Sequence, residues 1–165
     1  MRRYNQVVVI GASDDNSFID EAYKIGRYIA SNGWVLITGG RGGVMKAASK
    51  GAFEENGIVI GILPDSDSDY ANEYCNIVIP TGIGYARNMI NVLSGDVIIA
   101  IGGKSGTLSE LAYAWQFGKP IILSKFAHGW SENLSTMQID DRREGIIYIA
   151  ESLDDIFNHL NTILS

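Results

Sequence analysis

Apolar residues in this chain come in short unbroken runs, separated by longer stretches in which they recur every three or four positions. The runs, such as Val7-Val8-Val9-Ile10 and Val97-Ile98-Ile99-Ala100-Ile101, are rich in β-branched residues and lack polar alternation, so they predict strands buried on both faces. Strands are expected at about 6–11, 34–38, 58–63, 76–80, 96–101, 119–124 and 145–149. Helices are expected between them, at about 17–32, 43–56, 84–94, 106–117 and 151–164. In the last helix Leu153, Ile156, Phe157, Leu160 and Ile163 fall on one stripe, with Ser152 or Glu151 opening it. Gly33 and Gly57 each stand between a helix and the next strand, where a left-handed C-terminal cap is wanted.

Strand alternating with helix demands a parallel sheet covered on both faces: a Rossmann-like, three-layer α/β/α fold with about seven strands. At 165 residues, 46% hydrophobic and 19% charged, the chain is expected to form a single domain over 1–165. Right-handed crossovers gather the strand-to-helix turns on one edge of such a sheet, the edge where open parallel sheets bind ligands. Three of these turns are built from small residues: Gly11-Ala12-Ser13, Gly39-Gly40-Arg41-Gly42-Gly43 and Gly102-Gly103-Lys104-Ser105-Gly106-Thr107. Small residues let the backbone approach a ligand, and the first N–H groups of the following helix point at an anion. The expected phosphate contacts are therefore Gly11, Ser13, Gly39, Gly40, Arg41, Gly42, Gly43, Gly102, Gly103, Lys104, Ser105, Gly106 and Thr107, with Arg41 and Lys104 supplying charge. Residues 125–144, which include His128, Trp130 and Met137, show no periodicity and are expected to form a lid or an oligomer contact.

Composition narrows the ligand. A net charge of −6 argues against a broad nucleic-acid surface, whereas a small phosphorylated molecule needs only backbone donors and one or two local cations. The one cysteine, Cys75, excludes an internal disulfide and reads as a small buried or half-buried residue rather than a nucleophile. No apolar run is long enough to span a bilayer, and Met1 to Gln6 lead into a strand without a signal-peptide segment, so a cytoplasmic location and no membrane partner are expected. Gly103-Lys104-Ser105 ends like a Walker A loop, but Ile98 stands where that loop needs its first glycine. The first strand's turn likewise lacks the glycine fingerprint of dinucleotide binding. Asp65-Ser66-Asp67-Ser68-Asp69 begins like a calcium loop, yet Tyr70 and Asn76 stand where glycine and glutamate are required, so it reads as a solvated acidic loop. His128 and His159 are isolated, and no metal site is expected. Thr107-Leu108-Ser109-Glu110 has the form of a capping box, which is one reading of Glu110. Arg87, in the first turn of its helix, is poorly placed for the helix dipole and asks for another role, with Asn91 one turn later on the same face.

Read in order, Gly39 through Met45, Tyr85-Ala86-Arg87-Asn88-Met89 and Gly103 through Glu110 resemble three signatures of the LONELY GUY (LOG) family, long misannotated as lysine decarboxylases. These are its G-G-x-x-x-G-x-M-type turn, its arginine-bearing helix start and its P-G-G-x-G-T-x-x-E signature, and the resemblance runs from about residue 6 to residue 124. It implies a phosphoribohydrolase that releases the base from cytokinin nucleoside 5′-monophosphates, with Arg87 and Glu110 as the catalytic pair. The carboxylate would stabilise an oxocarbenium-like transition state or activate water, and the arginine would orient the base or the ribose phosphate. The chain departs from that pattern at Ile101, where the signature has proline, at an extra residue between Gly102-Gly103 and Gly106-Thr107, and at Asn88, where the family has lysine. These departures resemble a sister branch of the SLOG superfamily, the molybdenum cofactor carrier proteins, which bind a phosphorylated pterin and need not hydrolyse anything. That branch fits the sequence better. The expected function is thus binding of a phosphorylated nucleotide or nucleotide-like cofactor, the molybdenum cofactor or a nucleoside monophosphate, with phosphoribohydrolase activity as the alternative. Analogy to DNA-processing protein A would make the chain a single-stranded DNA binder, against which the acidic balance and the missing basic stripe both count. The LOG resemblance also implies a homo-oligomer, a dimer or tetramer. Met89-Ile90, Val92-Leu93, Leu111-Ala112 and Ala114-Trp115 would either supply apolar surface for it or face the sheet.

Overall fold

In the computed structural model, which describes residues 3–142 and 146–165, the expected strands and helices fold as one parallel sheet flanked on both faces. The strands are β1 (Gln6–Gly11), β2 (Val35–Thr38), β3 (Val59–Leu63), β4 (Ile77–Pro80), β5 (Val97–Ile101), β6 (Ile121–Ser124) and β7 (Ile147–Ala150). They pair in parallel in the order β4-β3-β2-β1-β5-β6-β7. This is a Rossmann-like α/β fold whose strand order reverses at β1, so the connections leaving β1 and β5 diverge and open a crevice at their carboxyl ends.

Alternating residues of β1 feed the two cores. Val7 and Val9 pack with residues of α1 (Ile19–Ser31), α2 (Gly43–Glu54) and α6 (Leu153–Leu164), among them Ile25, Ala48 and Ile156. Val8 and Ile10 pack with Val92 of α3 (Arg87–Leu93), Leu111 of α4 (Ser105–Gln116) and Leu134 of α5 (Trp130–Leu134). Of the two apolar stretches considered for self-association, Val92, Leu111, Ala114 and Trp115 therefore belong to the core, while Met89 and Leu93 stay exposed at 37% and 45%.

Three details differ from the sequence reading. The expected helix at 84–94 divides into a 3-10 turn, Gly84–Ala86, followed by α3. The unpatterned segment 125–144 contains α5, which is too short to show a period; its Ser131 hydroxyl donates to the Ser124 and Ala127 carbonyls and so ties it to β6. Residues 143–145, the end of that segment and the start of the last expected strand, lie outside the described residues. Finally, Gly33 does take the left-handed conformation (φ +71°), but after α2 it is Asn56 (φ +58°) that does so, and not Gly57. Gly57 is needed for a different reason: a Cβ there would collide with the Cβ of Ala30, where the two helices come together.

Ser152 opens α6, its side chain accepting from the Asp155 amide. Cys75 is half-buried, and burial pushes its thiol pKa above the ordinary value. Among the described residues no helix is long and apolar enough to cross a membrane, and no group of three or more His, Cys, Asp or Glu side chains is placed to hold a metal ion.

Candidate functional site

A cleft of about 740 Å³ lies at the carboxyl edge of the sheet. Each strand end contributes to it in turn. The loop after β1 brings Gly11, Ser13 and Asp14, the entry to α2 brings Arg41, Gly42 and Met45, and the loop after β3 brings Pro64 and Asp65. The turn into α3 brings Gly84, Tyr85, Arg87, Asn88 and Asn91, and the entry to α4 brings Lys104, Gly106, Thr107 and Glu110. Gly11, Ser13, Arg41, Gly42, Arg87, Lys104, Gly106, Thr107 and Glu110, singled out in the sequence, thus meet on one wall surface.

The remaining residues from that reading, Gly39, Gly40, Gly43, Gly102, Gly103 and Ser105, stand outside the cleft lining. Gly39 backs the guanidinium: a Cβ there would come within 2.7 Å of Arg87 Nη1 and of Met45 Sδ. The Gly40 amide donates to Thr38 Oγ1 at 3.1 Å. Gly43 packs on the backbone of Ala12 and Ser13, and the Val44 amide donates to the Ala12 carbonyl at 3.2 Å. Gly102 donates to Ser131 Oγ at 2.8 Å, and the carbonyls of Gly102 and Gly103 accept from the amides of Ser131 and Trp130, each at 3.1 Å. The first half of that glycine turn is therefore committed to α5. Free donors remain at the start of α4, because the first intrahelical bond runs from Leu108 to Lys104 and leaves the amides of Ser105, Gly106 and Thr107 without a helical acceptor.

That helix start also decides between the two readings of Glu110. Lys104 is the N-cap, in extended conformation and with no side-chain cap bond, so α4 begins at Ser105 and Thr107 already lies inside its first turn. The capping box does not form. Glu110 instead lies at the cleft floor, 6% exposed, where its Oε1 accepts a hydrogen bond from Asn91 Nδ2 at 2.9 Å and stands 3.9 Å from Arg87 Nη1. Burial pushes its carboxyl pKa up to about 7, against the opposing pull of the Asn91 hydrogen bond and the Arg87 charge. Arg87, its side chain 11% exposed, is pulled below its ordinary value by burial and held up by Glu110. At 3.9 Å the two meet as charges rather than as a hydrogen-bonded pair. Arg87 Nε and Asn91 Oδ1 are buried without a hydrogen-bond partner among the described residues. Each such atom costs about 1–3 kcal/mol; of the buried atoms without a partner, these two belong to residues that line the cleft, while Ser49 Oγ and Ser124 Oγ lie outside it.

The mouth of the cleft carries two more cation–carboxylate pairs. Arg41 pairs with Asp65 and lies 5.7 Å over the ring of Tyr70. Lys104 pairs with Asp14 at 2.8 Å, both side chains about two-thirds exposed. Asp65 is thus part of the cleft wall rather than a residue of a merely solvated loop. Both cations at the mouth are therefore already paired with carboxylates. Asn88, where the LOG pattern has lysine, donates to Ser109 Oγ at 2.9 Å. Sequence reasoning passed over Asp14, Met45, Pro64 and Asp65 as wall residues. Their signal was position alone, since each follows the carboxyl end of β1, β2 or β3.

The sequence profile of the SLOG cluster4 family matches residues 4–157. A protein of Archaeoglobus fulgidus with no assigned activity is 46% identical over 121 residues, 73% of this chain and 80% of its own length. The structure of the molybdenum cofactor binding protein from the phototrophic bacterium Rippkaea orientalis is similar over 100% of both chains, with a TM-score of 0.86 and 38% sequence identity. A cytokinin riboside 5′-monophosphate phosphoribohydrolase of Mycobacterium tuberculosis is 30% identical over 114 residues, 64% of this chain and 61% of its own length.

Proposed function

Since the chain belongs to the SLOG cluster4 family, we propose that it binds and carries a phosphorylated, nucleotide-like cofactor, the molybdenum cofactor, in the cleft at the carboxyl edge of its sheet. The observation that carries this reading is the end-to-end similarity to a molybdenum cofactor binding protein. The cleft is compatible with it: about 740 Å³ lies within the range of small-molecule sites and leaves room for a fused ring system beyond a phosphate. Arg41, Lys104 and the free amides of α4 would hold the phosphate, and the Arg87, Asn91 and Glu110 floor offers polar groups to the ring. The test is transfer. Protein loaded with released molybdenum cofactor and then desalted is expected to restore activity to a cofactor-free molybdoenzyme; no restoration, with the recipient activated by free cofactor in the same assay, would count against the carrier reading.

A second reading, hydrolysis of nucleoside 5′-monophosphates, draws support from the Arg87–Glu110 pair on the cleft floor and from the mycobacterial relative. A carboxyl group with a pKa near 7 has the acidity wanted of an acid–base catalyst. In this reaction the C1′–N bond breaks, water supplies the hydroxyl at C1′, and the leaving base takes up a proton. The reading ranks second because Asn88 replaces the family lysine and is tied to Ser109, and because Glu110 is almost wholly covered. Release of base and ribose 5-phosphate by wild type, abolished in Glu110→Gln, would promote it.

We also infer a homo-oligomer in a reducing, cytoplasmic setting. Exposed Met89 and Leu93 on α3 support the first part, and the lone free thiol of Cys75 supports the second.

A further inference from the structure

Tyr85 is 91% exposed, the most exposed large hydrophobic side chain among the described residues, and it is also the one aromatic residue on the cleft wall. Many of the other rings pair with a ring, as Tyr28 does with Phe157 at 4.0 Å and Tyr113 with Phe117 at 6.0 Å, and among those that do not, Tyr23 donates to Glu54, Trp115 donates to Asp140 and Tyr70 lies under Arg41. Tyr85 pairs with no ring of the described residues. Its hydroxyl makes no hydrogen bond among the described residues either, which leaves the ring open toward the cleft.

The backbone beneath it is built to hold it there. Amides of Thr81, Gly82 and Gly84 donate to the carbonyls of Leu63, Asp65 and Pro64 at 3.1, 2.9 and 3.0 Å, strapping this turn to the segment that leaves β3. Gly82 (φ +66°) and Gly84 (φ +61°) take the left-handed conformations that these bonds require. The chain then passes through the 3-10 turn directly into α3, so Tyr85 and Arg87, both of which line the cleft, come from one short, braced segment. The cations at the mouth, Lys104 and Arg41, enter from other elements. A ligand with a phosphate at one end and a flat ring at the other matches this division: charge for the phosphate, and an unoccupied π-face for the ring.

We propose that Tyr85 is the stacking platform for the planar heterocycle of the bound ligand, and that it selects a pterin or purine phosphate over a bare sugar phosphate. This rests on the cleft being the cofactor site, as proposed above. Stacking of one ring on one aromatic side chain is sequence-tolerant and strong enough to read, about 5- to 150-fold in affinity on substitution by alanine.

The experiment measures dissociation constants of neopterin phosphate, guanosine 5′-monophosphate and ribose 5-phosphate for wild type, Tyr85→Phe and Tyr85→Ala, with the thermal midpoint as a folding control. Tyr85→Phe is expected to bind all three as wild type does. Tyr85→Ala is expected to lose about 5- to 150-fold for the two ring-bearing ligands and nothing for ribose 5-phosphate. Unchanged ring binding in Tyr85→Ala, or an equal loss for ribose 5-phosphate, overturns the platform while leaving the cleft assignment standing. Failure of wild type to bind any of the three removes the cleft assignment and the platform together.

Discussion

Replacing Glu110 by glutamine should change how stability depends on pH, and the size of the change follows from its environment. In the unfolded chain this carboxyl titrates near its ordinary value of 4.5, while in the folded protein burial holds it at about 7. Between those values the native state keeps a proton that the unfolded state has lost. The stability associated with this group is therefore fully present below about pH 4.5 and is lost as pH rises through about 7. At 1.36 kcal/mol per unit, the loss between pH 5 and pH 8 comes to about 2–3 kcal/mol. Glutamine cannot titrate, and its carbonyl oxygen can still accept from Asn91. The attraction between the ionised carboxylate and Arg87, which glutamine lacks, arises only as Glu110 titrates and is already contained in its folded-state pKa, so it adds no separate pH dependence. Urea unfolding of both proteins at pH 5, 6, 7 and 8 checks this. The stability of Glu110→Gln relative to wild type should rise by about 2–3 kcal/mol across the range, with most of the rise below pH 7. A difference that stays flat would refute the reasoning, for it would mean that Glu110 is ionised in the folded protein at neutral pH and is held by Arg87 more strongly than burial opposes it.

Other substitutions probe the remaining walls of the cleft. Lys104→Ala should weaken binding of guanosine 5′-monophosphate about threefold to tenfold and flatten its salt dependence, measured by calorimetry at two ionic strengths. Gly39→Ala puts a methyl group 2.7 Å from Arg87 Nη1 and Met45 Sδ, so the chain should fold with a loss of about 1–3 kcal/mol in urea and lose ligand affinity as Arg87 is displaced. Leu93→Lys, on the exposed side of α3, should leave the thermal midpoint of the folded chain nearly unchanged and shift the mass measured by light scattering toward the monomer; an unchanged mass would place self-association elsewhere.

The sheet was legible because unbroken β-branched runs such as Val97-Ile98-Ile99 have one economical fate, burial on both faces, and helices between them fix the parallel order. The carboxyl edge followed from handedness alone. Details that depend on a single backbone conformation did not follow. Asn56 rather than Gly57 closes α2, since asparagine tolerates the left-handed region and the neighbouring glycine was needed for helix contact. Thr107 and Glu110 have the spacing of a capping box, yet extended Lys104 starts the helix before them and turns Glu110 toward the cleft floor. The partners of the cations were hidden for a different reason. Lys104 and Asp14 lie 90 positions apart, and Arg41 and Asp65 lie 24 apart, so no local pattern joins them. The sheet order joins them: β2 lies beside β3, which brings Arg41 to Asp65, and the reversal at β1 sets β1 beside β5, which brings Asp14 to Lys104.

The most direct test of the central claim is the stoichiometry with which the purified chain retains the molybdenum cofactor. Protein mixed with released cofactor under anaerobic conditions is desalted, and bound pterin is quantified by fluorescence after oxidation, with and without excess guanosine 5′-monophosphate. The account predicts close to one pterin per chain, reduced by the competing nucleotide and by Lys104→Ala. Retention no greater than that of an unrelated protein of similar size would contradict it.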